Sequence, residues 1–488
     1  MNKYYDIFTY TSENLAFSLC NSFVNSDDIK KKVQYHFFIE YLESQNAKTI
    51  IIEYNYFSKI YIDSFLPLYQ KGFLEFSKQC KRVHFFSIEI LEDEFKELIY
   101  NEGNYHNSSS DKYIGNIVIR PVPDSIFGES LLVPPPMSEG IRLNSLMNYS
   151  INLFGISFNL NSLPFLEQDK YITTCANVAL WIALNRTSHL FHHKLPNISE
   201  INSLAGQSHS VPGRRYGTGF EVFQICNVIE SLGLECEVRT EITVSSLKAI
   251  VASYNSLGIP ILFGYSYNNE YTHLVTLIGY DIGKPGSKIK NPQDINLFSE
   301  RITSLYCFDD QSGPYSKITI DSKNKVKNWN GDKIEPHVLI VPIAESIRVK
   351  YEDILIVIHP LANILDAILH FKNKPYWDLE LLKSQRLKSK IRFNSVLSIE
   401  EKNKIIFSSL PEFIWAGKLI VSDTLIVELF FDATSFQVNY SAFCIIFYDL
   451  EFKSILKQFF NKQDNYIKGY FKELSSEYYY NLILESLK

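Results

Sequence analysis

The sequence predicts a multidomain chain of mixed α/β and α+β class, with a central helix-and-sheet domain between two smaller mixed α/β domains. Length is the first reason. At 488 residues the chain exceeds one ordinary hydrophobic core, and about three domains are expected. The second reason is the alternation of strand-like and helix-like runs in the first part of the chain. The third is a pair of composition breaks, at the proline run VPPPMSEG (Val133 to Gly140) and near Ser346. They divide the chain into segments 1–150, 151–345 and 346–488.

In the first segment, KTIIIEY (Lys48 to Tyr54), KRVHFFSI (Lys81 to Ile88) and YIGNIVIRPVP (Tyr113 to Pro123) are rich in β-branched and aromatic residues and read as strands. Ile62 to Cys80 and Leu91 to Tyr100 read as amphipathic helices. Glu53, His84 and Arg120 lie on the strands; they could line a pocket, but read first as polar residues at the edge of the core. The proline run that follows reads as a semi-rigid linker, because consecutive prolines favour extended geometry.

The second segment is organised around EQDKYITTCANVALWIALN, Glu167 to Asn185. Asn177 is the only polar residue between Cys175 and Leu184, and a helix apolar on every side is expected in the middle of a domain. Thr173 and Thr174 are candidate caps, which puts Cys175 at the helix N-terminus, where free N–H groups and the helix dipole favour negative charge. The histidines of SHLFHHKLP (His189, His192, His193) lack a completing cysteine or carboxylate and read as a surface segment. GQSHSVPGRRYGTG, which carries His209, lacks the order of a phosphate loop and reads as a flexible loop. A helix FEVFQICNVIESLG, a strand LECEVRTEI and a further helix lead to the buried strand LGIPILFGYSY. THLVTLIGYDI, which contains His273, is the next strand. SLYCFDDQSGPYSKITI is another, broken after Phe308 by Asp309 and Asp310.

From Ser346 onward, KYEDILIVIHP, a basic stretch from Lys383 to Arg392 and DTLIVELFFDAT mix helix and strand signals. The basic stretch reads as a solvated face.

Composition narrows the function. Apolar residues make up 46% of the chain and charged residues 21%, the balance of a folded globular protein rather than a disordered one. A net charge of −6 argues against a dedicated nucleic-acid binder. The seven cysteines form no C-x-x-C pair, so free thiols in a reducing, cytoplasmic setting are expected. The opening residues lack the basic head and apolar stretch of a secretory signal. The most apolar window, Asp353 to Phe371, is interrupted by polar residues and a proline, so no membrane association is expected. With no phosphate-binding glycine loop and no complete metal-ligand spacing, neither a cofactor nor a metal is expected.

What remains is thiol chemistry. In order, the middle segment offers Gln168, Cys175, His273 and Asp309 or Asp310. A cysteine attacks a carbonyl as thiolate, a histidine holds and delivers the proton, and an aspartate orients the imidazole. A glutamine amide and the Cys175 backbone N–H suit a developing oxyanion. Along LYCFDD, strand alternation puts Asp309 and Asp310 on opposite faces, so one of them is expected to face the histidine.

Gln168, Cys175 with its apolar helix, GIPILFG, THLVTLIGYD and YCFDDQSG together resemble the successive motifs of the peptidase C39-like group of papain-fold cysteine peptidases. The match spans roughly residues 164 to 325. The resemblance implies a papain-like fold of a helix layer against an antiparallel sheet. It transfers Cys175 as nucleophile, His273 as base, Asp309 as orienter and Gln168 as oxyanion donor. Asp309 is preferred over Asp310 because Gly313 stands four positions after it, as in the family. The chain departs from the pattern at Ala176, at Thr272 and in the placing of Gln168. The implied function is a cysteine peptidase or related thiol hydrolase acting through an acyl-enzyme on a peptide or protein substrate. An acyltransferase or deamidase belongs to the same chemistry. The alternative is an inactive papain-like module serving as a binding scaffold.

Overall fold

The computed structural model describes residues 3–70, 73, 75–100, 111–169, 175–206, 219–267, 271–283, 295–369, 375–436, 442–463, 465, 468–469 and 477–487. They form a mixed α/β architecture with several antiparallel sheets, and the chain separates into two compact units. One unit joins Met1–Ile242, Gly258–Asp281 and Ser304–Pro342; the other joins Thr243–Leu257, Ile282–Thr303 and Ile343–Lys488. The segments expected at 1–150 and 151–345 therefore lie mostly in one unit, and two stretches of the middle segment belong with the C-terminal residues.

The first unit opens on a five-stranded sheet in the order β1 (Tyr5–Thr9), β2 (Thr49–Tyr56), β3 (Cys80–Phe86), β4 (Tyr113–Ile119), β5 (Phe127–Leu132), with every neighbour antiparallel. The apolar run of β2 and the wholly buried β4 reflect a sheet covered on both faces. One face meets the helix Val33–Ser44, whose Phe38 ring packs edge-on to Phe127 at 5.3 Å. After β6 (Ile141–Arg142), the hairpin of β7 (Met147–Leu153) and β8 (Ile156–Ser162) covers the other face. Along β8 burial alternates, and Phe158 stacks on Tyr113 of β4 at 4.6 Å.

The helix expected over Ile62 to Cys80 is shorter. A π-helical turn, Tyr61–Phe65, runs into Leu66–Tyr69. Pro67 has no N–H for the ordinary helical bond, and just before it the Leu66 N–H reaches back to the Tyr61 carbonyl.

The next strands of this unit are β9 (Leu234–Arg239), β10 (Ile261–Tyr267), β11 (Tyr271–Ile282), β12 (Ile302–Asp309), β13 (Gly313–Ile320), β14 (Val326–Lys327) and β15 (Lys333–Ala344). Strands β10 to β15 follow one another in the sheet, and β10 also pairs with β15, closing a six-stranded barrel. β9 extends it beyond β15, and β6 pairs with β11. That pairing explains Gly279, because a Cβ there would lie 2.0 Å from the Arg142 carbonyl oxygen. The helix Cys175–Phe191 is buried from Ala176 through Asn185, as its composition demands, and Thr276 of β11 donates to the Ala179 carbonyl at 2.7 Å.

A single apolar core runs through this unit from Leu15 to Ile340 and includes Phe38, Phe127, Phe165, Leu180 and Phe308. The proline run is consequently no boundary. Tyr41 donates to the Val133 carbonyl and Gln45 to that of Pro134.

In the second unit, β16 (Tyr376–Lys383), β17 (Phe413–Val421), β18 (Thr424–Asp432) and β19 (Ala442–Phe447) form an antiparallel sheet in that order. Leu387 and Ile391, on the helix Ser384–Arg392, pack on Ile414 and Phe430. The basic stretch thus has a buried apolar side as well as a solvated one. The helix Val244–Asn255 also belongs to this unit, with its Tyr254 ring edge-on to Trp415 at 5.4 Å. No described helix is long and apolar enough to cross a membrane.

Candidate functional site

Cys175 is the first residue of its helix and is half-buried. The proposed caps, Thr173 and Thr174, lie outside the described residues, as does His209. His273 sits near the start of β11, only 4% exposed, opposite Tyr265 of β10, whose ring meets the imidazole edge-on at 5.6 Å. The Cys175 thiol is within hydrogen-bonding reach of the His273 side chain. On the far side of the ring, Nε2 lies 2.9 Å from Asp309 Oδ1. Nδ1 is then the nitrogen left for the thiol, and the Gln311 amide approaches it loosely at 3.5 Å.

The two aspartates do not divide between opposite faces. Asp310 Oδ1 lies 3.8 Å from the same Nε2, so both carboxylates approach the imidazole. The reason is a register shift between Cys307 and Asp309, where β12 leaves its regular pairing with β13. A bulge breaks the period of two on which the alternation argument rests.

Electrostatics separate the pair. Burial opposes protonation of His273, but the Asp309 charge and hydrogen bond, with smaller contributions from Cys175 and Asp310, hold the imidazole well above its ordinary value. Burial likewise pushes Asp309 up, yet the His273 charge and hydrogen bonds from His273, Gln311 and Ser312 bring it below the ordinary carboxyl value. Asp310 goes the other way, raised to about 7 by burial, which the His273 charge only partly offsets and the Asp309 charge reinforces. Its Oδ2 is buried without a hydrogen-bond partner among the described residues. Asp309 and His273 thus form an ion pair, beside a second carboxyl that burial holds well above the ordinary carboxyl value.

His273, Asp309 and Asp310 each bring one possible ligand atom within 4.8 Å of the others. The same three side chains already make the His273–Asp309 hydrogen bond at 2.9 Å, with Asp310 3.8 Å from the same nitrogen.

Gln168 is half-buried and makes no hydrogen bond among the described residues. Its segment is held firmly. Phe165 and Ser130 exchange backbone hydrogen bonds of 2.8 and 2.9 Å, and the Glu167 carboxylate accepts from the Phe127 N–H at 2.8 Å. Lys32 pairs with Glu167 at 3.4 Å, and the Arg120 guanidinium donates to the Glu167 carbonyl at 3.4 Å. The N-terminal sheet therefore positions the stretch that carries Gln168. It also reaches the acid strand, since Gln34 donates to the Asp310 carbonyl at 3.2 Å. Phe37 fills the space a Cβ on Gly313 would need, at 2.4 Å. Lys32, Gln34, Phe37, Gln311 and the backbone-holding role of Arg120 were not legible in the sequence, because their partners are remote or their spacing carries no pattern. The histidines of SHLFHHKLP stand apart, His193 bonding to Thr187 at 2.9 Å.

The two aspartates should differ on substitution. Asp309→Ala is expected to lower turnover by about 10²- to 10⁴-fold through loss of imidazole orientation. Asp310→Asn, which replaces a carboxyl already raised to about 7, should change it only a few-fold. The alkaline limb of the rate profile should separate them as well. A raised imidazole value means the folded state holds its proton more tightly, so the ion pair is complete below about 6.5, the ordinary value, and is lost as pH rises through the raised one. Asp309→Asn should move that limb down. A larger effect at Asp310 in either measurement would reverse the assignment.

Compared with known proteins, the chain matches no family model, and no curated protein matches its sequence.

Proposed function

We propose that this protein is a thiol hydrolase of papain-like architecture, a cysteine peptidase in the first instance, acting through an acyl-enzyme on a peptide or protein substrate in a reducing, cytoplasmic setting. One observation carries the reading: a half-buried thiol at the head of a buried helix, in reach of an imidazole whose other nitrogen is paired with a buried carboxylate. Supporting it, all seven cysteines are free thiols. The helix set against an antiparallel barrel, with the cysteine on one and the histidine on the other, agrees with the resemblance read from the motifs.

In this reading the Cys175 thiol passes its proton to His273, and its sulfur attacks the substrate carbonyl, so that a C–S bond forms as the carbonyl π bond opens onto its oxygen. The oxyanion takes hydrogen bonds from the Cys175 backbone N–H and the Gln168 amide, which no described residue engages. The protonated His273 gives its proton to the leaving amine as the C–N bond breaks. The neutral imidazole then removes a proton from water, which attacks the thioester and releases the carboxylate and the thiol. Asp309 keeps the imidazole oriented and supports its charged form throughout. A different incoming nucleophile would turn the same acyl-enzyme into an acyltransferase intermediate.

Labelling with iodoacetamide at pH 7, mapped by mass spectrometry, tests the reading. Cys175 should be modified first among the seven cysteines, and His273→Ala should slow its modification at least about tenfold, since the thiolate loses its cationic partner. Preferential labelling of another cysteine, or no effect of the histidine, would favour an inactive binding module.

A further inference from the structure

The five-stranded sheet carries a second polar site, which includes Glu53 and His84 of the strands read in the sequence. On the face covered by the β7–β8 hairpin, a cavity of about 500 Å³ is bordered by Glu53, Tyr56, Arg82, Asn116, Glu129 and Tyr149, among others. That volume falls in the range of small-molecule sites. Glu53 stands opposite Arg82 and Arg82 opposite Val118 across β2, β3 and β4, and β5 supplies Glu129. A charged row across the middle of a sheet face is costly to bury without partners.

Most of the row is satisfied internally. Arg82 Nε donates to Glu53 at 2.7 Å, a second guanidinium nitrogen donates to the Asn152 carbonyl, and the group lies over the Tyr56 ring at 4.2 Å. His84 lies 3.3 Å from the same Glu53 oxygen and 2.8 Å from the Tyr113 hydroxyl. Burial lowers this imidazole to about 4, so it is neutral at pH 7. The charges of Glu53 and Arg82 cancel.

Glu129 is left over. It has no hydrogen-bond partner among the described residues, and the nearby Tyr149 hydroxyl is buried without one. Burial raises the Glu129 carboxyl to about 7, against the lowering effect of Arg82. The Glu129 carboxyl on the cavity wall and the Tyr149 hydroxyl buried beside it, neither engaged by a described residue, leave two acceptor oxygens without an outside donor. An anionic ligand would meet Glu129 with Arg82 already engaged, so the missing group is a cation.

We propose that this cavity binds a small organic amine through its primary ammonium group, with Glu129 as counter-ion and the Tyr149 hydroxyl as second acceptor. The site is separate from the thiol chemistry and does not depend on it. The full-length protein is titrated with n-butylamine, putrescine and tyramine, and with butyrate as the anionic control, followed by saturation-transfer NMR and calorimetry. At least one amine should bind and butyrate should not. Glu129→Gln should weaken binding at least about tenfold and Tyr149→Phe about threefold, as expected for loss of a charged and a neutral hydrogen bond. Circular dichroism melting checks that both variants fold; should Glu129→Gln fail to fold, Tyr149→Phe and the butyrate control decide. Cys175→Ala should leave binding unchanged. The proposal is overturned if no amine binds the native protein, if a folded Glu129→Gln or Tyr149→Phe variant binds as the native chain does, if butyrate competes, or if Cys175→Ala abolishes the binding.

Discussion

Cys175→Ala is expected to abolish the release of p-nitrophenolate from generic acyl donors such as p-nitrophenyl esters, by at least about 10⁴-fold, while the protein still folds. The size follows from the role. A nucleophile acts as a unit with its base, so its loss removes the covalent route entirely and leaves only the effects of binding and oxyanion stabilisation. The fold should tolerate the change because Cys175 is half-buried at a helix end, whereas the apolar residues that fix the helix, Val178 through Leu184, are untouched. Losing one half-buried sulfur should lower stability by about 1 kcal/mol or less. Burst kinetics with an ester substrate, set beside a melting curve, separate the two effects. Cys226→Ala and Cys236→Ala serve as controls and should keep the burst. A folded Cys175→Ala variant that still shows the burst would move the nucleophile elsewhere.

A fragment of residues 150–345 is expected not to fold, although its motifs suggest a self-contained hydrolase. Cutting at 150 exposes the side of the shared core that the N-terminal sheet covers, where Phe165, Leu166 and Phe308 join Phe38 and Phe127 in one cluster. Burying each such side chain contributes about 2 kcal/mol, so exposing a handful exhausts a typical stability of 5–15 kcal/mol. The same cut strands the helix Val244–Asn255, which packs with β16 and Trp415 in the other unit. Expression of the fragment should give insoluble or non-cooperatively melting material, and limited proteolysis of the whole chain should release no stable core at these boundaries. A soluble fragment with a sharp melting transition would show that the middle segment is autonomous after all.

Several features followed from the sequence alone. The absence of polar residues along the Cys175 helix, apart from Asn177, required its burial, and β-branched runs such as TIII and the strand containing His273 required a sheet. Gln168, Cys175, His273 and Asp309 could be nominated because thiol chemistry needs those residue types. Tertiary structure decided the rest. That both Asp309 and Asp310 approach the imidazole depended on a register shift in β12, which periodicity cannot anticipate. The unit boundary depended on which apolar faces meet. Val133 and Pro134 look like a linker in composition, but Tyr41 and Gln45 bond to their carbonyls. Glu129 carries no signal in its neighbourhood of FGES, and only the closure of the β7–β8 hairpin over the sheet makes it the unpartnered carboxyl of a cavity. Local patterns specify which face of an element is apolar, whereas the partner that covers it is chosen by contacts between residues far apart in the chain.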